Sequence, residues 1–418
     1  MMVPQKMIAT IQTPKTSAVI TFAITPLHLL LPGRTPAHPA PLECVAKQTY
    51  DTHKKHKSNS SLVPISPPAP LLANSCYHCT ADMRVLVTGG SGFLGAHCVK
   101  TLLQHSHSVI FTTRSKAKGD HILNTHPKVP LECLSYVLVE DVTEEHAFKK
   151  AIHQSRPIEA VIHTASPYHF RFGDPHTEML DPCILGTTNL LKTIHDHAPT
   201  VKHISVTSSF AAMVNVKAPP PVYDESSWNP STIDQAITGD KFTTWRASKT
   251  FAEEAAWEFC ENEKPGFSLS TILPPLMFGP LIQAVKSDLS DVNQSTERIR
   301  DMITGKMRDG LAPTGILIWA DVRDVALAHV RAIEGSEAAG KRFFVTEGWY
   351  SNAMIADVIK KKFPEIGKDM LPVHYESDLD LENKPFEIDN RRSREVLGMR
   401  YMSLEQSIKD CVQSMLDA

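Results

Sequence analysis

The sequence has little excess charge of either sign, with a formal net charge of -3 over 418 residues. This balance gives no reason to expect a nucleic acid or a strongly acidic partner. Long apolar runs are missing too: Pro26 and His28 interrupt the stretch SAVITFAITPLHLLLPG at 17–33, which is too short to span a bilayer. The 20 histidines are scattered without metal-ligand spacing. We therefore expect no metal site, no nucleic-acid partner and no membrane span.

The eight cysteines do not form the pattern of a disulfide framework. Cys76 and Cys79 form a lone CYHC motif; without a second pair, we interpret them as thiols in a disordered tail rather than as zinc ligands. Five others lie inside predicted strands or helices, as reduced core thiols of a cytosolic protein do: Cys98, Cys133, Cys183, Cys260 and Cys411. This cysteine usage predicts a cytoplasmic protein.

The first 82 residues differ from the rest in composition. They are rich in Pro, Ser, Thr and His and contain a single Gly, so they cannot bury enough apolar surface to offset the entropy of ordering. We predict that residues 1–82 form a disordered extension. They could equally be removed from the mature protein or arise from a start-site error in the gene model. A targeting segment is also open, since 17–33 loosely resembles the hydrophobic part of a signal peptide.

From Met83 onward, short β-branched runs alternate with amphipathic helical segments. The predicted strands are 84–88, 108–113, 135–139, 160–164, 203–207 and 268–273, and the intervening helices are 94–104, 143–154, 181–196 and 244–262. Such alternation predicts an α/β fold with a doubly wound parallel sheet, the Rossmann architecture. We divide the folded part into a dinucleotide-binding domain at 83–275 and a smaller substrate-binding region at 276–418. A strand and helix within 315–345 are expected to return to the core.

A glycine-rich turn follows the first predicted strand and opens the first helix, in VLVTGGSGFLG. Gly89, Gly92 and Gly95 permit a tight turn and close approach of the backbone to a pyrophosphate on the helix N-terminus. This context favours a dinucleotide site over a turn without ligand.

The end of the second predicted strand indicates which nucleotide is bound. An acidic residue there would bind a ribose 2′-hydroxyl, but the sequence has TTRSKAK, with Arg114, Lys116 and Lys118. Cations suit a 2′-phosphate, so NADP(H) is preferred over NAD(H), with a solvated basic loop as the alternative. Asp141 follows the third strand and is predicted to bind the adenine amino group. HTASP at 163–167 is expected to line the nicotinamide half.

These motifs together resemble the extended short-chain dehydrogenase/reductases, specifically the dihydroflavonol-reductase-like group of NADPH-dependent ketone and aldehyde reductases of fungal type. The resemblance is carried by TGGSGFLG, TTRSKAK, HTASP, VTSSFAA, SKTFAEEAAW, TILPPLMFGP and ADVRDVALAH, in this order. It implies a small-molecule carbonyl substrate, often an intermediate of secondary metabolism. The implied cofactor-binding residues are Gly89, Gly92, Phe93, Leu94, Gly95, Arg114, Lys118, Asp141, Val142, Ala165, Lys249 and Pro274.

The resemblance also implies a catalytic serine after the fifth strand and a Tyr-x-x-x-Lys pair on a helix. Ser209 matches the serine, with Ser208 a weaker candidate, and Lys249 matches the lysine. The tyrosine position is occupied by Trp245, and no tyrosine lies elsewhere on this predicted helix. The expected substrate residues are Tyr168 and Phe210; His169 is expected as a pocket wall beside Tyr168.

The tryptophan leaves three hypotheses open, because indole has one N–H donor and is no useful acid. The first is a working NADPH-dependent reductase with an altered or slower proton relay. The second is a catalytically silent NADP(H)-binding protein that acts as a sensor, scaffold or partner subunit. The third is a sequence error at this codon in an ordinary reductase. Substrate identity and oligomeric state are not predicted.

Overall fold

The computed structural model describes residues 82–154, 157–375, 381 and 384–418. All of the predicted N-terminal extension except Asp82 lies outside the described residues, and so do the 17–33 stretch, Cys76 and Cys79. The twelve strands that follow are numbered in chain order. They are β1 Arg84–Thr88, β2 Ser108–Thr113, β3 Leu134–Leu138, β4 Ala160–His163, β5 His203–Thr207, β6 Val222–Tyr223, β7 Ser268–Leu273, β8 Leu276–Phe278, β9 Ile318–Asp321, β10 Lys341–Phe344, β11 Gly348–Trp349 and β12 Glu387–Ile388.

Seven of these strands form one parallel sheet, in the order β3-β2-β1-β4-β5-β7-β10. The strand order reverses between β1 and β4, and in such sheets ligands bind at the carboxyl ends of the strands beside this point. The central strands are almost wholly buried, because helices cover both faces. The predicted doubly wound parallel sheet is confirmed.

The helices pack in two layers. They are α1 Phe93–Gln104, α2 Lys116–Asn124, α3 Lys149–Gln154, α4 Asp181–His197, α5 Ile233–Thr238, α6 Lys241–Glu263, α7 Glu297–Ile303, α8 Val322–Glu334, α9 Asn352–Lys362, α10 Pro364–Met370, α11 Arg391–Val396 and α12 Leu404–Leu416. One layer contains α1 and α8, and its apolar side chains form a core with those of β1, β2 and the C-terminal helices. The other layer contains α3, α4 and α6.

Two predicted segments differ from the structure. The helix predicted over 143–154 is helical only over α3, because His146 has a φ of +72°, a left-handed conformation that a helix cannot contain. The basic segment after β2 is not a loop, since α2 begins at Lys116. The ion pair between Lys116 Nζ and Asp120 Oδ2, at 2.6 Å, spans one turn of α2.

The C-terminal region contributes to the same sheet as well as forming its own small ones. β10 is the edge strand of the seven-stranded sheet, and α8 packs on α1, so parts of 315–345 lie against the core. β8, β9 and β11 form a three-stranded sheet, and β6 pairs with β12. The division at residues 275 and 276 stays a prediction. Within the described part of the chain, every helix is too short or too polar to cross a bilayer.

The cysteines were predicted to be reduced and to lie in the core. Cys98, Cys183, Cys260 and Cys411 carry free thiols. Cys133 is disulfide-bonded, so the prediction is wrong at this position.

Candidate active site

The predicted site residues follow the carboxyl ends of six strands. Because these strands are parallel, their carboxyl ends share one edge of the sheet. The residues in question are Gly89 after β1, Arg114 after β2, Asp141 after β3, Ala165 after β4, Ser209 after β5 and Pro274 after β7. The structure therefore brings the candidates to one side of the sheet, around the crossover between β1 and β4.

The glycine turn between β1 and α1 is tight enough to exclude side chains. Gly89 has a φ of +69°, and the Gly92 N–H donates to its carbonyl oxygen at 3.0 Å. A Cβ on Gly95 would lie 2.2 Å from that same oxygen. No side chain caps the N-terminus of α1, so its first N–H groups can bind an anion.

Gly90 is a residue that the spacing argument missed. A Cβ there would lie 2.4 Å from Cβ of Phe111 on β2. The feature of the sequence that could have indicated Gly90 is the pair of adjacent glycines in TGGSG. Gly90 makes room for the neighbouring strand β2 rather than for a ligand. The turn can pack against β2 only because Gly90 carries no side chain.

Two of the three predicted cations are available to a ligand. Arg114 and Lys118 are exposed, and neither forms a hydrogen bond or ion pair with any residue that the structure describes. Lys116, by contrast, is paired with Asp120, which also accepts a hydrogen bond from the Tyr136 hydroxyl at 2.7 Å. Two free cations after β2, the strand next to the glycine turn, suit the extra phosphate of NADP(H).

Asp141 and Val142 lie at the end of β3, where the adenine is expected. Asp141 Oδ1 accepts hydrogen bonds from the N–H and the hydroxyl of Thr143, at 2.8 and 2.7 Å. This turn fixes the carboxylate, with both bonds on the same oxygen. Val142 packs on α4, since a Cβ on Gly186 would lie 3.0 Å from its Cγ2. The adenine-binding role of both residues stays a prediction.

Helix α6 presents Trp245, Lys249 and Glu253 at four-residue spacing, which places the three side chains on one face. Asp240 caps this helix, accepting a hydrogen bond from the Thr243 N–H at 2.7 Å. Lys249 is 9% exposed, and its Nζ donates to Ser166 Oγ at 2.8 Å. Burial lowers the pKa of Lys249, so its ammonium gives up a proton more readily than an exposed lysine does.

Trp245 is buried at the tyrosine position, with its ring against other aromatic side chains. The ring centroids of Trp245 and Tyr168 are 5.2 Å apart, and Phe170 makes an edge contact at 5.9 Å. The indole Nε1 is buried and has no hydrogen-bond partner among the described residues. A buried donor without a partner is unusual in proteins and marks a position for an acceptor.

The two serines after β5 have different partners. The Ser208 hydroxyl donates to the Glu253 carboxylate at 2.5 Å, so its proton is held by a charge. Ser209 Oγ accepts from the Ala211 N–H at 3.1 Å and donates to the Pro274 carbonyl oxygen at 3.4 Å, a long bond. Ser209 can therefore redirect its proton to a ligand at little cost, which favours it over Ser208.

Glu253 is a second residue that the sequence argument missed. Its buried carboxylate accepts hydrogen bonds from Ser208, from the Thr271 hydroxyl at 2.7 Å and from Arg342 Nε at 2.8 Å. Arg342 also stacks on Trp228, with 3.6 Å between the guanidinium carbon and the ring centroid. Because 89 residues separate Glu253 from Arg342, no local motif signals this pair.

A small cavity lies beside Lys249 and is lined by both polar and apolar side chains. Its lining includes Ser166, Thr187, Ser208 and Glu253. His163 also faces it, with Nδ1 2.6 Å from the Thr88 hydroxyl. Burial, and then the charge of Lys249, lowers the pKa of His163 to about 3, so this imidazole is neutral and Lys249 carries the positive charge of the cavity.

The remaining predicted residues fall into two groups. Tyr168 packs on Trp245, as a pocket wall would, and Ala165 is tied to β1 by its N–H, which donates to Thr88 Oγ1 at 3.2 Å. Phe210 instead is 6% exposed, and its ring stacks on Phe344 in an apolar cluster. Its substrate role stays a prediction that its core position does not favour.

The fold and this edge of the sheet define a dinucleotide-binding α/β protein. Residues 85–345 match the NAD dependent epimerase/dehydratase family. The chain belongs to this family, and the resemblance to extended short-chain dehydrogenase/reductases is confirmed.

Individual relatives are similar over most of the chain. The ketoreductase azaE of Aspergillus niger is 44% identical over 335 residues, which cover 80% of this chain and 98% of that protein. A putative NADPH-dependent methylglyoxal reductase of Candida albicans, GRP2, is 37% identical over 346 residues, 81% of this chain and 99% of that protein. The crystal structure of Gre2 with NADPH from Candida albicans has a TM-score of 0.74, at 35% identity, covering 80% of this chain and 99% of that one.

Proposed function

We propose that the protein is an NADPH-dependent reductase of a ketone or aldehyde in which Trp245 stands in place of the tyrosine of its family. The observation that carries this proposal is the buried, unpartnered indole N–H four residues before a buried lysine. Relatives named as a ketoreductase and as an NADPH-dependent methylglyoxal reductase support a carbonyl substrate. A role in secondary metabolism and a cytoplasmic location remain predictions.

The residues present fit NADP(H). A Cβ on Gly95 would collide with the Gly89 oxygen, and Gly89 has a positive φ, so the turn keeps its tight shape only with glycine at these positions. The uncapped N-terminus of α1, which follows Gly92, would bind the pyrophosphate. Arg114 and Lys118 would bind the 2′-phosphate. When bound, the cofactor supplies the hydride.

The chain itself would orient the carbonyl and manage the proton. The Trp245 N–H and the Ser209 hydroxyl would both donate to the carbonyl oxygen and stabilise the charge that develops there. The indole gives up no proton. The Lys249 ammonium, with its lowered pKa, is therefore the proton source, acting through water.

A second candidate function is a catalytically silent NADP(H)-binding protein, acting as a sensor, scaffold or partner subunit. The observation in its favour is the missing phenol, because a positioned general acid contributes about 10²- to 10⁴-fold in rate. The buried Lys249 and the weakly bonded Ser209 hydroxyl favour the reductase instead. Neither contact is needed for nucleotide binding at the glycine turn.

The test compares NADPH consumption by the purified protein and by Trp245→Tyr, using a panel of ketones and aldehydes, with NADPH binding measured in parallel. We expect measurable turnover by the natural protein and a gain of about 10-fold or more in the variant, which restores an acid beside Lys249. Binding of NADPH without turnover by either protein would support the silent alternative. Fast turnover by the natural protein, with no increase in Trp245→Tyr, would contradict the inference that Trp245 lowers the rate.

Ser209→Ala tests the second donor. We expect a fall in kcat of about 10-fold or more, since a donor to the developing oxyanion is lost. Ser336→Ala, at an exposed position just before β10 and outside the site, is the matched control. Undiminished turnover in Ser209→Ala would remove that residue from the mechanism.

A further inference from the structure

Three hydrogen-bond donors beside the candidate active site are buried without partners. They are Trp245 Nε1, Arg298 Nε and the Tyr350 hydroxyl, none of which bonds to a described residue. Tyr350 is fully buried, and burial raises the pKa of its phenol, so it keeps its proton. A buried donor left unpaired destabilises the protein. Three together indicate a ligand that is rich in acceptors.

Tyr168 connects these three donors. Its ring packs on the Trp245 indole at 5.2 Å between centroids. Burial raises the pKa of Tyr168 and of Tyr350. In Tyr168 a hydrogen bond with Ser295 and then the nearby Arg298 guanidinium oppose the rise, and in Tyr350 Arg298 opposes it. The Arg298 guanidinium carbon lies 5.5 Å from the centroid of the Tyr350 ring. Tyr168 therefore has Trp245 on one side and Arg298 and Tyr350 on the other.

The guanidinium of Arg298 is only half used. Its Nη1 donates to the Thr314 carbonyl oxygen at 3.0 Å and to Asn352 Oδ1 at 3.2 Å. No carboxylate among the described residues forms a salt bridge with it; its neighbour Glu297 pairs instead with Arg300. The edge formed by Nε and Nη2 is thus left over, and such an edge binds a carboxylate through two parallel hydrogen bonds.

We propose that the substrate carries a carboxylate in addition to its reactive carbonyl, and that the Nε–Nη2 edge of Arg298 and the Tyr350 hydroxyl bind it. The substrate class is then an oxo acid. One guanidinium matches one carboxylate in charge and in planar geometry. This assignment rests on the proposed reductase function, because it places the carbonyl at Trp245.

The experiment uses a series of oxo carboxylates of increasing chain length, each with its methyl ester. For the natural protein we expect kcat/KM to favour the acid over its ester at one chain length. In Arg298→Met that preference falls by about 10- to 100-fold. Arg308→Met removes a charge from an exposed arginine ten residues on and should leave the preference unchanged. Equal use of acids and esters by the natural protein would overturn the proposal.

Arg298 also donates hydrogen bonds to Thr314 and Asn352, so Arg298→Met could lower activity by disturbing the local structure. Tyr350→Phe is a second variant that tests the carboxylate site without removing these bonds. The Tyr350 hydroxyl bonds to no described residue, so its removal should not lower the melting temperature, yet the acid preference should fall several-fold. A variant that melts earlier and loses acid and ester turnover equally would contradict the assignment.

A binding measurement separates this proposal from the proposed function. The 2- to 5-hydroxy carboxylates that correspond to the reduced products are titrated calorimetrically into the protein saturated with NADP⁺. Heat that is lost in Arg298→Met supports the carboxylate site even if no carbonyl is reduced. Ester turnover with no heat from any hydroxy carboxylate would keep the reductase and overturn the carboxylate site.

Discussion

The change from Trp245 to Phe tests the role of one hydrogen atom. Phenylalanine keeps an aromatic ring against Tyr168 and Phe170 but removes the indole N–H, which has no partner among the described residues. Loss of one donor to a developing oxyanion typically costs about 10²- to 10³-fold in kcat. Because Ser209 remains as a second donor, we expect the lower end, about 100-fold.

Stability should change little in the same variant. Removing a buried donor without a partner relieves a penalty of about 1–3 kcal/mol, while the smaller ring loses aromatic contacts of about 0.5–1.5 kcal/mol and some packing. These effects oppose each other, so we expect the free energy of unfolding to shift by less than about 2 kcal/mol. A structural role for the N–H would instead lower stability and activity together.

The assay is NADPH consumption with the best substrate of the panel, alongside urea unfolding. Trp228→Phe is the control, because it makes the same change in a partly exposed indole that stacks on Arg342 rather than on Tyr168. It should retain its kcat. Unchanged kcat in Trp245→Phe would show that the indole N–H does not contact the reacting oxygen, and would refute this reasoning.

Three further predictions concern stability and cofactor binding. Burial lowers the pKa of His163 and of His329 to about 3. Between about pH 6.5 and pH 3 only the unfolded chain binds a proton at each histidine, so the free energy of unfolding decreases as the pH is lowered. In urea unfolding, His329→Gln should flatten that slope by about 1.4 kcal/mol per pH unit; parallel curves would contradict this. Glu253→Gln leaves Arg342 without its charge partner and should lower the free energy of unfolding by about 3–5 kcal/mol; a change below about 1 kcal/mol would refute the buried pair. Gly95→Ala should weaken NADPH binding at least about 10-fold, since its Cβ would lie 2.2 Å from the Gly89 oxygen. Gly266→Ala, with open space around it, should bind NADPH as the natural protein does. Equal affinities of the two variants would contradict the assignment of the glycine turn to the nucleotide.

The sheet was predictable because burial on both faces selects for short β-branched runs. The predicted bounds of β1, β2, β5 and β7 agree with the structure, and β4 differs by one residue. The missed helix α2 shows the limit of pattern reading, because its first turn contains Lys116 and Lys118, two of the three cations that suggested binding of a 2′-phosphate. The four-residue spacing of Lys116 and Asp120 is typical of a helix, but a count of the charges in this segment does not reveal that spacing.

The candidate site contains residues that local motifs predict and residues that they do not. Residues in local motifs, such as Gly89, Lys249 and Trp245, were found because turn geometry and helical spacing act over a few residues. Arg298 and Tyr350 were not found, since they meet only through packing of segments far from Trp245 in the chain. Three-dimensional packing decides which groups a side chain contacts. The sequence alone therefore could not show that the Trp245 N–H has no partner among the described residues.

The most direct test of the central claim is calorimetric titration of the purified protein with NADPH and, separately, with NADH. We predict tight binding of NADPH, weaker binding of NADH, and loss of that difference when Arg114 and Lys118 are both changed to Gln. Absence of heat with NADPH would contradict the assignment of the glycine turn and its two free cations, and with it both functions considered for this chain.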